Sequence, residues 1–343
     1  MGRPARSLCR TLHGLFAVYK PPGVHWKRLR DTVETNLLKD LNSLKQPLPR
    51  QQIRFLPSSI EGENGTETSL TVVQVPVVAD HPRVKGPKFV DLKVGAGHRL
   101  DMRSSGVFVL GVGNGNQQLT HLYNCHLTKE YTVKGSFGTA TEDFSDTGRL
   151  IEKTTYDHIT RDRLERIIAV IQGSHQRALL TYSGVDLKSQ EAYELASRGL
   201  LHPLQKSPPI ITGIRCVHFS PPSFTLEIQC VHETQQYLRK VVHEIGLELK
   251  SSAVCTQVRR TRDGVFTLED ALIRTHWDLQ SVQAAVQASR PRVEDKLRED
   301  SWRYTDISGE DTAAGGQRQS PGEEDRVSST HTSSDLRRGT EAQ

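Results

Sequence analysis

The chain has 343 residues, a net charge of +5 and a hydrophobic content of 35%, which is enough for one large domain or two ordinary ones. Its five cysteines are scattered, with neither a Cys-x-x-Cys pair nor zinc-ligand spacing. This argues against a disulfide framework and a zinc site and indicates a reducing compartment. No apolar run is long enough to cross a membrane, so we expect no membrane-spanning segment.

The two ends of the chain differ in composition from the middle. Residues 1–30 contain seven Lys and Arg residues and no acidic residue, which is typical of a mitochondrial presequence but equally of a basic RNA-binding arm. We interpret residues 1–13 as one or the other. Residues 291–343 carry twelve acidic against eight basic residues, which predicts a disordered acidic tail. The basic body between them favours a polyanion as partner, although a merely soluble basic protein would have the same charge.

The first part of the body predicts a strand, a helix and a long insertion. An apolar, β-prone run at Leu12–Tyr19 predicts a strand, and Lys20-Pro21-Pro22-Gly23 ends it because proline removes amide donors and glycine permits a turn. Apolar residues at every third or fourth position predict an amphipathic helix over His25–Leu44. In residues 45–90 this periodicity weakens, and we interpret the segment as a surface insertion of loops with one strand at Leu70–Val78.

The stretch Gly95–Gly113 is the most informative part of the sequence. It is rich in glycine, carries a single carboxylate at Asp101 and then becomes the apolar run Val107–Val112, which predicts a loop leading into a buried strand. Arg99 and Arg103 lie two residues away on either side and would favour the ionised carboxylate. Such a loop often presents a catalytic group, whereas the simpler interpretation is an ordinary turn aspartate.

The rest of the body is predicted to contain both strands and helices. Strands are predicted at Lys129–Gly138, Ile211–Val217, Phe224–Val231 and Ala253–Arg262, the middle two as an antiparallel pair. Helices are predicted at Gly115–Leu127, Thr160–Gln172 and Glu233–Lys250 and within residues 267–289, with a polar loop at Thr139–Leu150. Taken alone, Tyr131 would be an ordinary core aromatic and Arg239 a solvated helix arginine.

Four motifs, in this order, resemble the TruB family of pseudouridine synthases. They are Lys20-Pro21-Pro22-Gly23 after a strand, Leu100-Asp101 followed by Gly106 and an apolar strand, Lys129-x-Tyr131 in a strand, and Tyr237-x-Arg239 in a helix. The pattern of residues 173–200 resembles the same family. The resemblance implies an α+β pseudouridine synthase fold, with a mixed, mostly antiparallel sheet flanked by helices and loops. It also implies a catalytic domain at residues 14–290. Many relatives have a C-terminal PUA domain, but we expect none here because the composition of residues 291–343 predicts disorder.

The resemblance further implies what individual residues do. Asp101 would be the catalytic aspartate and Arg239 its salt-bridge partner. Tyr131 would be the aromatic that stacks on the flipped base and is placed to assist proton removal. Substrate-binding positions would be Lys20, Tyr237, Val258 and Arg259, with Val258 lining the uracil pocket. The implied reaction converts uridine to pseudouridine in RNA without a cofactor or a metal. Its target uridine would lie in a loop or a single-stranded region.

Location and partners are also expectations from the resemblance and the basic N-terminus. We expect the mitochondrial matrix, with the nucleus or cytoplasm as the alternative. The expected substrate is mitochondrial mRNA, tRNA or rRNA, and ribosomal or RNA-granule proteins of the mitochondrion are candidate partners. We expect a monomer.

Three positions depart from the family pattern. Ala96 stands where bacterial TruB enzymes have a histidine, Met102 stands where a proline usually follows the aspartate, and His98-Arg99-Leu100-Asp101 resembles the RluA branch instead. Two alternatives therefore stay open. One is a catalytically weak RNA-binding or ribosome-assembly factor on the same fold, against which the three retained catalytic positions argue. The other is an RluA-like synthase acting on ribosomal RNA, against which the pattern of residues 173–200 argues.

Overall fold

A computed structural model of the chain describes residues 12–308 except for short gaps at 45–49, 63–64, 81–83, 85, 87–88, 187, 198–200, 202 and 204–206. The predicted N-terminal arm lies almost wholly outside the described residues, as does the predicted tail beyond residue 308. The chain divides into two compact units, Met1–Asp300 and Ser301–Gln343, and every candidate site residue belongs to the first. None of the described helices is long and apolar enough to cross a membrane.

The elements are numbered here in chain order. The strands are β1 (Gly14–Lys20), β2 (Gln51–Gly62), β3 (Gly65–Pro76), β4 (Val94–Ala96), β5 (Ser105–Val112), β6 (Lys129–Phe137), β7 (Thr139–Thr141), β8 (Leu150–Lys153), β9 (Ile210–Ser220), β10 (Ser223–Val231), β11 (Ala253–Asp263), β12 (Phe266–Thr267) and β13 (Ala271–Leu272). The α-helices are α1 (Trp26–Ser43), α2 (Gly115–Asn124), α3 (Arg161–Tyr182), α4 (Gln190–Ser197), α5 (Gln235–Glu248) and α6 (Leu279–Ser308).

One large sheet organises the first unit. Among the described residues it has nine strands in the order β13-β1-β5-β11-β6-β10-β9, with β12 paired to β11 and β4 paired to β5. The pairs β1–β13 and β5–β11 are parallel and the others are antiparallel. This confirms the predicted mixed, mostly antiparallel sheet. The central strand β5 is buried along its whole length, as expected for a β-branched run between glycines.

Two amphipathic helices supply much of the core against this sheet. On α1 the buried residues are Leu29, Val33, Leu37 and Leu41, and on α5 they include Leu238, Val241, Val242 and Ile245. Burying each such side chain stabilises the fold by about 1.5–3 kcal/mol. Thr234 caps α5, its side chain accepting a hydrogen bond from Tyr237 N. The helix is therefore fixed at its N-terminus, which is the end that meets the Asp101 loop.

Residues 45–90 contain more regular structure than predicted. β2 and β3 pair along their full length as an antiparallel hairpin, where we predicted loops and a single strand. The apolar side chains Ile53, Phe55 and Val72 are exposed on this hairpin, so burial against the core does not mark these residues as strands. Pro57 is a residue that normally interrupts a strand because it has no amide donor. It is tolerated here because both strands of a two-stranded sheet are edge strands, each with one side that needs no ladder hydrogen bond.

Two helices extend past their predicted ends. α3 continues through Gly173 to Tyr182, because an isolated glycine in a helix costs only about 1 kcal/mol relative to alanine. α6 continues through Pro291 to Ser308, so the predicted disordered tail is wrong for residues 291–308 and its boundary falls inside a helix. Val293 is 2% exposed, and Arg292 Nη2 lies 2.5 Å from Asp270 Oδ1. These contacts offset the helical hydrogen bond that is missing at Pro291, which has no amide hydrogen.

Candidate active site

The loop that carries Asp101 is held by the core at both ends. Leu100, immediately before it, is 1% exposed, and β5 begins four residues after it, at Ser105. Gly106 fixes the start of this strand, because its φ is +113° and a Cβ there would lie 2.0 Å from the Arg260 carbonyl oxygen. Only glycine fits so close to β11. Asp101 therefore lies on a short loop between two buried anchors, as the sequence predicts.

Asp101 forms an ion pair with Arg239. Arg239 Nη2 donates to Asp101 Oδ2, and Ser104 N donates to Asp101 Oδ1 at 2.7 Å. The arginine side chain is 7% exposed and the aspartate side chain 35%, so a buried cation holds a carboxylate that solvent still reaches. Partial burial raises the pKa of Asp101, but the hydrogen bonds from Ser104 and Arg239 outweigh it and hold the pKa below its ordinary value. The carboxylate is therefore ionised at neutral pH.

The first turn of α5 also holds the backbone of this loop. Gln235 Oε1 accepts a hydrogen bond from Asp101 N at 3.2 Å, and Gln235 Nε2 donates to the Arg99 carbonyl at 3.5 Å. Arg239 lies one turn further along the same helix. One element thus fixes both the carboxylate and the peptide groups beside it.

Lys20, the last residue of β1, lies beneath the Asp101 loop. Its side chain is fully buried, and its ammonium donates to the Ser104 carbonyl at 2.7 Å. Burial lowers the pKa of Lys20 to about 8, against the opposing influence of the Asp101 charge. Gly23 N donates to the Met102 carbonyl at 2.8 Å, so the Lys-Pro-Pro-Gly turn and the Asp101 loop are joined. The structure therefore brings this lysine, the aspartate and the arginine into one cluster.

Tyr131 and Val258 lie on the neighbouring strands β6 and β11 and belong to one hydrophobic cluster. Tyr131 is fully buried, and its hydroxyl donates to Glu233 Oε1 at 2.6 Å. Burial and the charge of Glu233 hold the pKa of Tyr131 well above its ordinary value. Val258 is 3% exposed. Because the tyrosine ring has no open face in this arrangement, stacking on a base requires neighbouring side chains to move.

Tyr237 and Arg259 contact other parts of the structure. The Tyr237 hydroxyl lies 3.2 Å from His175 Nε2 on α3, and burial raises the pKa of this tyrosine to about 12. The Arg259 guanidinium lies 5.6 Å from the ring centre of Tyr19 on β1. Among the described residues, neither side chain is hydrogen-bonded or ion-paired to Asp101. Both remain partly exposed.

Four polar residues that support the site were not predicted from the sequence. They are Ser104, Glu233, Gln235 and Arg260. Arg260 is fully buried; its Nε donates to the Val107 carbonyl at 2.8 Å and its Nη2 to the His98 carbonyl at 2.7 Å, so it joins β5 to the approach of the Asp101 loop. The Arg-Arg pair in β11 was a usable signal for Arg260. The other three reach the site only through the tertiary fold, which no local pattern of residues indicates.

A basic and aromatic surface borders the Asp101 loop. Arg99 Cζ lies 4.7 Å from the ring centre of Trp26, and Arg30 Cζ lies 5.9 Å from it. Lys27 and Arg28 are exposed in the same turn of α1 and, together with Asp31, line a groove of about 420 Å³ that reaches the residue after Asp101. We call Trp26, Lys27, Arg28, Arg30 and Arg99 the Trp26 surface. Cations around an aromatic ring suit a nucleic-acid strand.

Comparison with known proteins defines the family. Residues 85–236 match the family model described as TruB family pseudouridylate synthase (N terminal domain). The chain is 66% identical over 294 residues to the mitochondrial pseudouridylate synthase TRUB2 of Xenopus tropicalis, a match that covers 86% of this chain and 90% of that protein.

The chain belongs to the TruB family of pseudouridylate synthases. Human mitochondrial TRUB2 is 63% identical over 286 residues, covering 83% of this chain and 86% of its own. Human TRUB1 is 33% identical over 279 residues, covering 81% of this chain and 68% of its own. This TruB-family protein is thus an RNA pseudouridine synthase, an isomerase that converts uridine to pseudouridine, which confirms the family predicted from the motifs.

Proposed function

We propose that Asp101 is the catalytic aspartate with which this TruB-family enzyme isomerises uridine in RNA. The observation that carries the proposal is the ion pair between Asp101 and the buried Arg239. The guanidinium holds one carboxylate oxygen and the Ser104 amide holds the other, while the aspartate side chain stays 35% exposed. A fixed and ionised carboxylate that remains accessible is suited to nucleophilic attack.

The isomerisation rearranges bonds within one nucleotide. The bond from N1 to C1′ breaks, the freed uracil turns, a bond from C5 to C1′ forms, and one hydrogen leaves C5 while another arrives at N1. Asp101 would start this sequence by attack at C1′ of the sugar or at C6 of the base. The bond that it forms would break again as or after the bond from C5 to C1′ forms, which regenerates the carboxylate. Both routes use the same carboxylate, and neither involves a net oxidation or reduction, so we propose no cofactor or metal.

The other predicted site residues have supporting roles in this proposal. Lys20 and Arg239 are positioning residues, because Lys20 holds the Ser104 carbonyl and Arg239 holds the carboxylate itself. Tyr131 and Val258 would form the base pocket after the local opening that a flipped base requires. Tyr237 and Arg259 keep their assignment as substrate-binding residues, and their partial exposure supports it.

The RNA strand that flanks the target uridine would cross the Trp26 surface. This surface combines an aromatic ring with arginine side chains within 6 Å and adjoins the Asp101 loop. Arginine and aromatic side chains bind single-stranded RNA by stacking and by neutralising phosphates. A uridine in a loop or single strand could then flip into the site at little cost.

The location and the RNA substrate form a separate part of the proposal. The TRUB2 relatives of frog and human are named as mitochondrial, and the first thirty residues here are basic and free of acids. We place the enzyme in the mitochondrial matrix, with mRNA, tRNA and rRNA as candidate substrates and ribosomal or RNA-granule proteins as candidate partners. Fractionation of cells expressing the tagged full chain decides between this location and the nucleus or cytoplasm. The enzyme is proposed to act as a monomer.

Pseudouridine mapping tests the proposal in cells. RNA from cells that lack the protein is compared with RNA from the same cells rescued with wild type, Asp101→Ala or Asp162→Ala. Asp162 is an exposed aspartate in the first turn of α3 and serves as the control. Wild type and the control should restore the same pseudouridines, and Asp101→Ala should restore none. Restoration by Asp101→Ala would overturn the assignment.

A second candidate function is an RNA-binding or assembly role with weak catalysis. It is favoured by the complete burial of Tyr131, since a site that never opens cannot admit a base. The same rescue distinguishes it: an assembly factor would restore mitochondrial RNA abundance equally well with wild type and with Asp101→Ala. The proposed enzyme would not restore modification with the variant.

A further inference from the structure

Glu233 is a buried carboxylate that the Asp101 cluster does not use. Its side chain is 1% exposed, and Oε1 accepts the hydroxyl of Tyr131 at 2.6 Å. Lys129 Nζ lies 3.2 Å from the same oxygen and is itself 7% exposed. Removing these charges from water costs several kcal/mol per ion unless attraction and hydrogen bonds offset it. The buried carboxylate contacts Tyr131, the tyrosine proposed to stack on the base, and a chemical function there would be a reason for this costly burial.

The isomerisation supplies that reason. Once C5 has bonded to C1′, its hydrogen must leave as a proton, and the family resemblance implies that Tyr131 assists that step. Burial and the charge of Glu233 hold the pKa of Tyr131 well above its ordinary value, so the phenol keeps its proton at neutral pH. A phenol that already carries its proton accepts another only if the first one leaves. The existing hydrogen bond directs that first proton to Glu233.

We infer that Glu233 is the terminal proton acceptor for C5 of the target uridine, reached through the Tyr131 hydroxyl. This inference rests on the proposed function, because it assumes that the base stacks on Tyr131. Glu233 touches Tyr131 and not the substrate, so it is a positioning and relay residue. Lys129 balances the carboxylate charge before the transfer.

The step balances without an outside reactant. The bond from C5 to hydrogen breaks, and its electron pair forms the C5=C6 double bond while the N1=C6 pair becomes a lone pair on N1. The proton bonds to Tyr131 Oη as the original hydroxyl proton moves to Glu233 Oε1, which becomes neutral. N1 takes up a proton from water, and Glu233 releases its proton before the next turnover. The net change is one hydrogen moved from carbon to nitrogen.

A purely structural role for Glu233 would produce the same contacts. The carboxylate could simply hold β6 against the turn before α5 by joining Lys129 and Tyr131 to that turn. Loss of activity in a variant therefore does not separate the two roles. The deuterium isotope effect at C5 separates the two roles. Only the loss of a relay residue lowers the rate of C5 deprotonation relative to the rates of the other steps.

The test uses the full-length enzyme and single turnover on transcripts made with ordinary or 5-deuterated uridine, carrying the site that the mapping experiment identifies. Glu233→Gln keeps the size of the side chain but cannot take a proton. Glu130→Gln is the matched control, because Glu130 precedes Tyr131 in β6 but pairs with Arg262 at 2.8 Å and is 45% exposed. We expect Glu233→Gln to slow the chemical step about 100-fold and to show a larger C5 deuterium effect than wild type, and the control to change neither.

Three results overturn the relay. They are a Glu233→Gln enzyme with the wild-type rate, a slowed enzyme whose C5 deuterium effect equals that of wild type, and a control that matches Glu233→Gln in both quantities. If Glu233→Gln does not fold, Tyr131→Phe makes the same test, since it removes the relay hydroxyl and keeps the ring; an unchanged isotope effect there also overturns the relay. A wild-type enzyme that forms no pseudouridine would instead overturn the proposed function itself.

Discussion

Arg239 is the residue on which the geometry of Asp101 depends most directly. Arg239 Nη2 reaches the carboxylate and lies 3.3 Å from Ser104 Oγ, while Nη1 donates to Gln236 Oε1 at 3.2 Å. A lysine has a single ammonium nitrogen and cannot reproduce this arrangement of two donor nitrogens. The arginine is 7% exposed, so it faces the aspartate from within the core and is not available to an RNA phosphate. Its role is therefore separable from RNA binding.

Arg239→Lys should lower the chemical step about 100-fold, which is typical of a small misplacement of a reacting group, and leave RNA affinity nearly unchanged. Single-turnover kinetics at saturating enzyme measures the first quantity and filter binding the second. Arg215→Lys is the control, because Arg215 pairs with Glu227 on the surface and is 76% exposed. A variant with weaker binding and an unchanged chemical rate would assign Arg239 to the RNA backbone.

At the scale of elements, the parallel contact between β5 and β11 fixes the end of the Asp101 loop. It joins Gly106 to Arg260 in the ladder, and Arg260 then hydrogen-bonds the carbonyls of Val107 and His98. The close approach of the two backbones is possible only because residue 106 lacks a Cβ. The glycine of the Leu-Asp motif is therefore structural.

Gly106→Ala should destabilise the protein by roughly 3 kcal/mol, because alanine at positive φ is strained and its Cβ would overlap β11. Gly173→Ala is the matched comparison: a Cβ there meets nothing within 4 Å, so helix α3 should gain about 0.5–1 kcal/mol. Urea unfolding of both variants measures the two shifts. Equal effects of the two substitutions, or a Gly106→Ala protein as stable as wild type, would show that the close contact with β11 does not require glycine at residue 106.

Strands and helices with one buried face were predictable, and elements without one were not. β5, α1 and α5 follow their apolar patterns because burial produced those patterns. In the β2–β3 hairpin, the side chains described at residues 51–57 and 70–76 are exposed or half-buried, so no buried face marked these residues as strands. The cluster of Asp101, Arg239 and Lys20 was anticipated from motif order. The link from Tyr131 to Glu233 depends on how the turn before α5 meets β6, which spans about a hundred residues of sequence.

At the scale of the whole molecule, charge and RNA binding are linked. The whole chain has a net charge of +5, and its residues 291–343 carry four more acidic than basic residues, so residues 1–290 carry about +9. The Trp26 surface concentrates some of that charge beside the Asp101 loop. Binding to RNA should therefore release counterions from the phosphates that these side chains neutralise.

RNA affinity should fall by at least about tenfold between 50 and 200 mM salt, as expected for several phosphate contacts. Arg28→Ala, which removes an exposed cation of the Trp26 surface, should reduce the slope of log affinity against log salt by about 0.7. Fluorescence titration over a salt series measures both. An affinity independent of salt would count against RNA as the partner, and an unchanged slope in Arg28→Ala would remove the Trp26 surface from the RNA path.

The central claim is that Asp101 performs the chemistry, and single-turnover conversion of a uridine-containing RNA by Asp101→Asn tests it most directly. Asparagine keeps the size of the side chain and an oxygen for the Ser104 amide, so the fold and RNA affinity should be retained. Without the carboxylate, the rate of pseudouridine formation should fall by at least about 1,000-fold. A folded Asp101→Asn enzyme that binds the RNA and converts it at the wild-type rate would contradict the account.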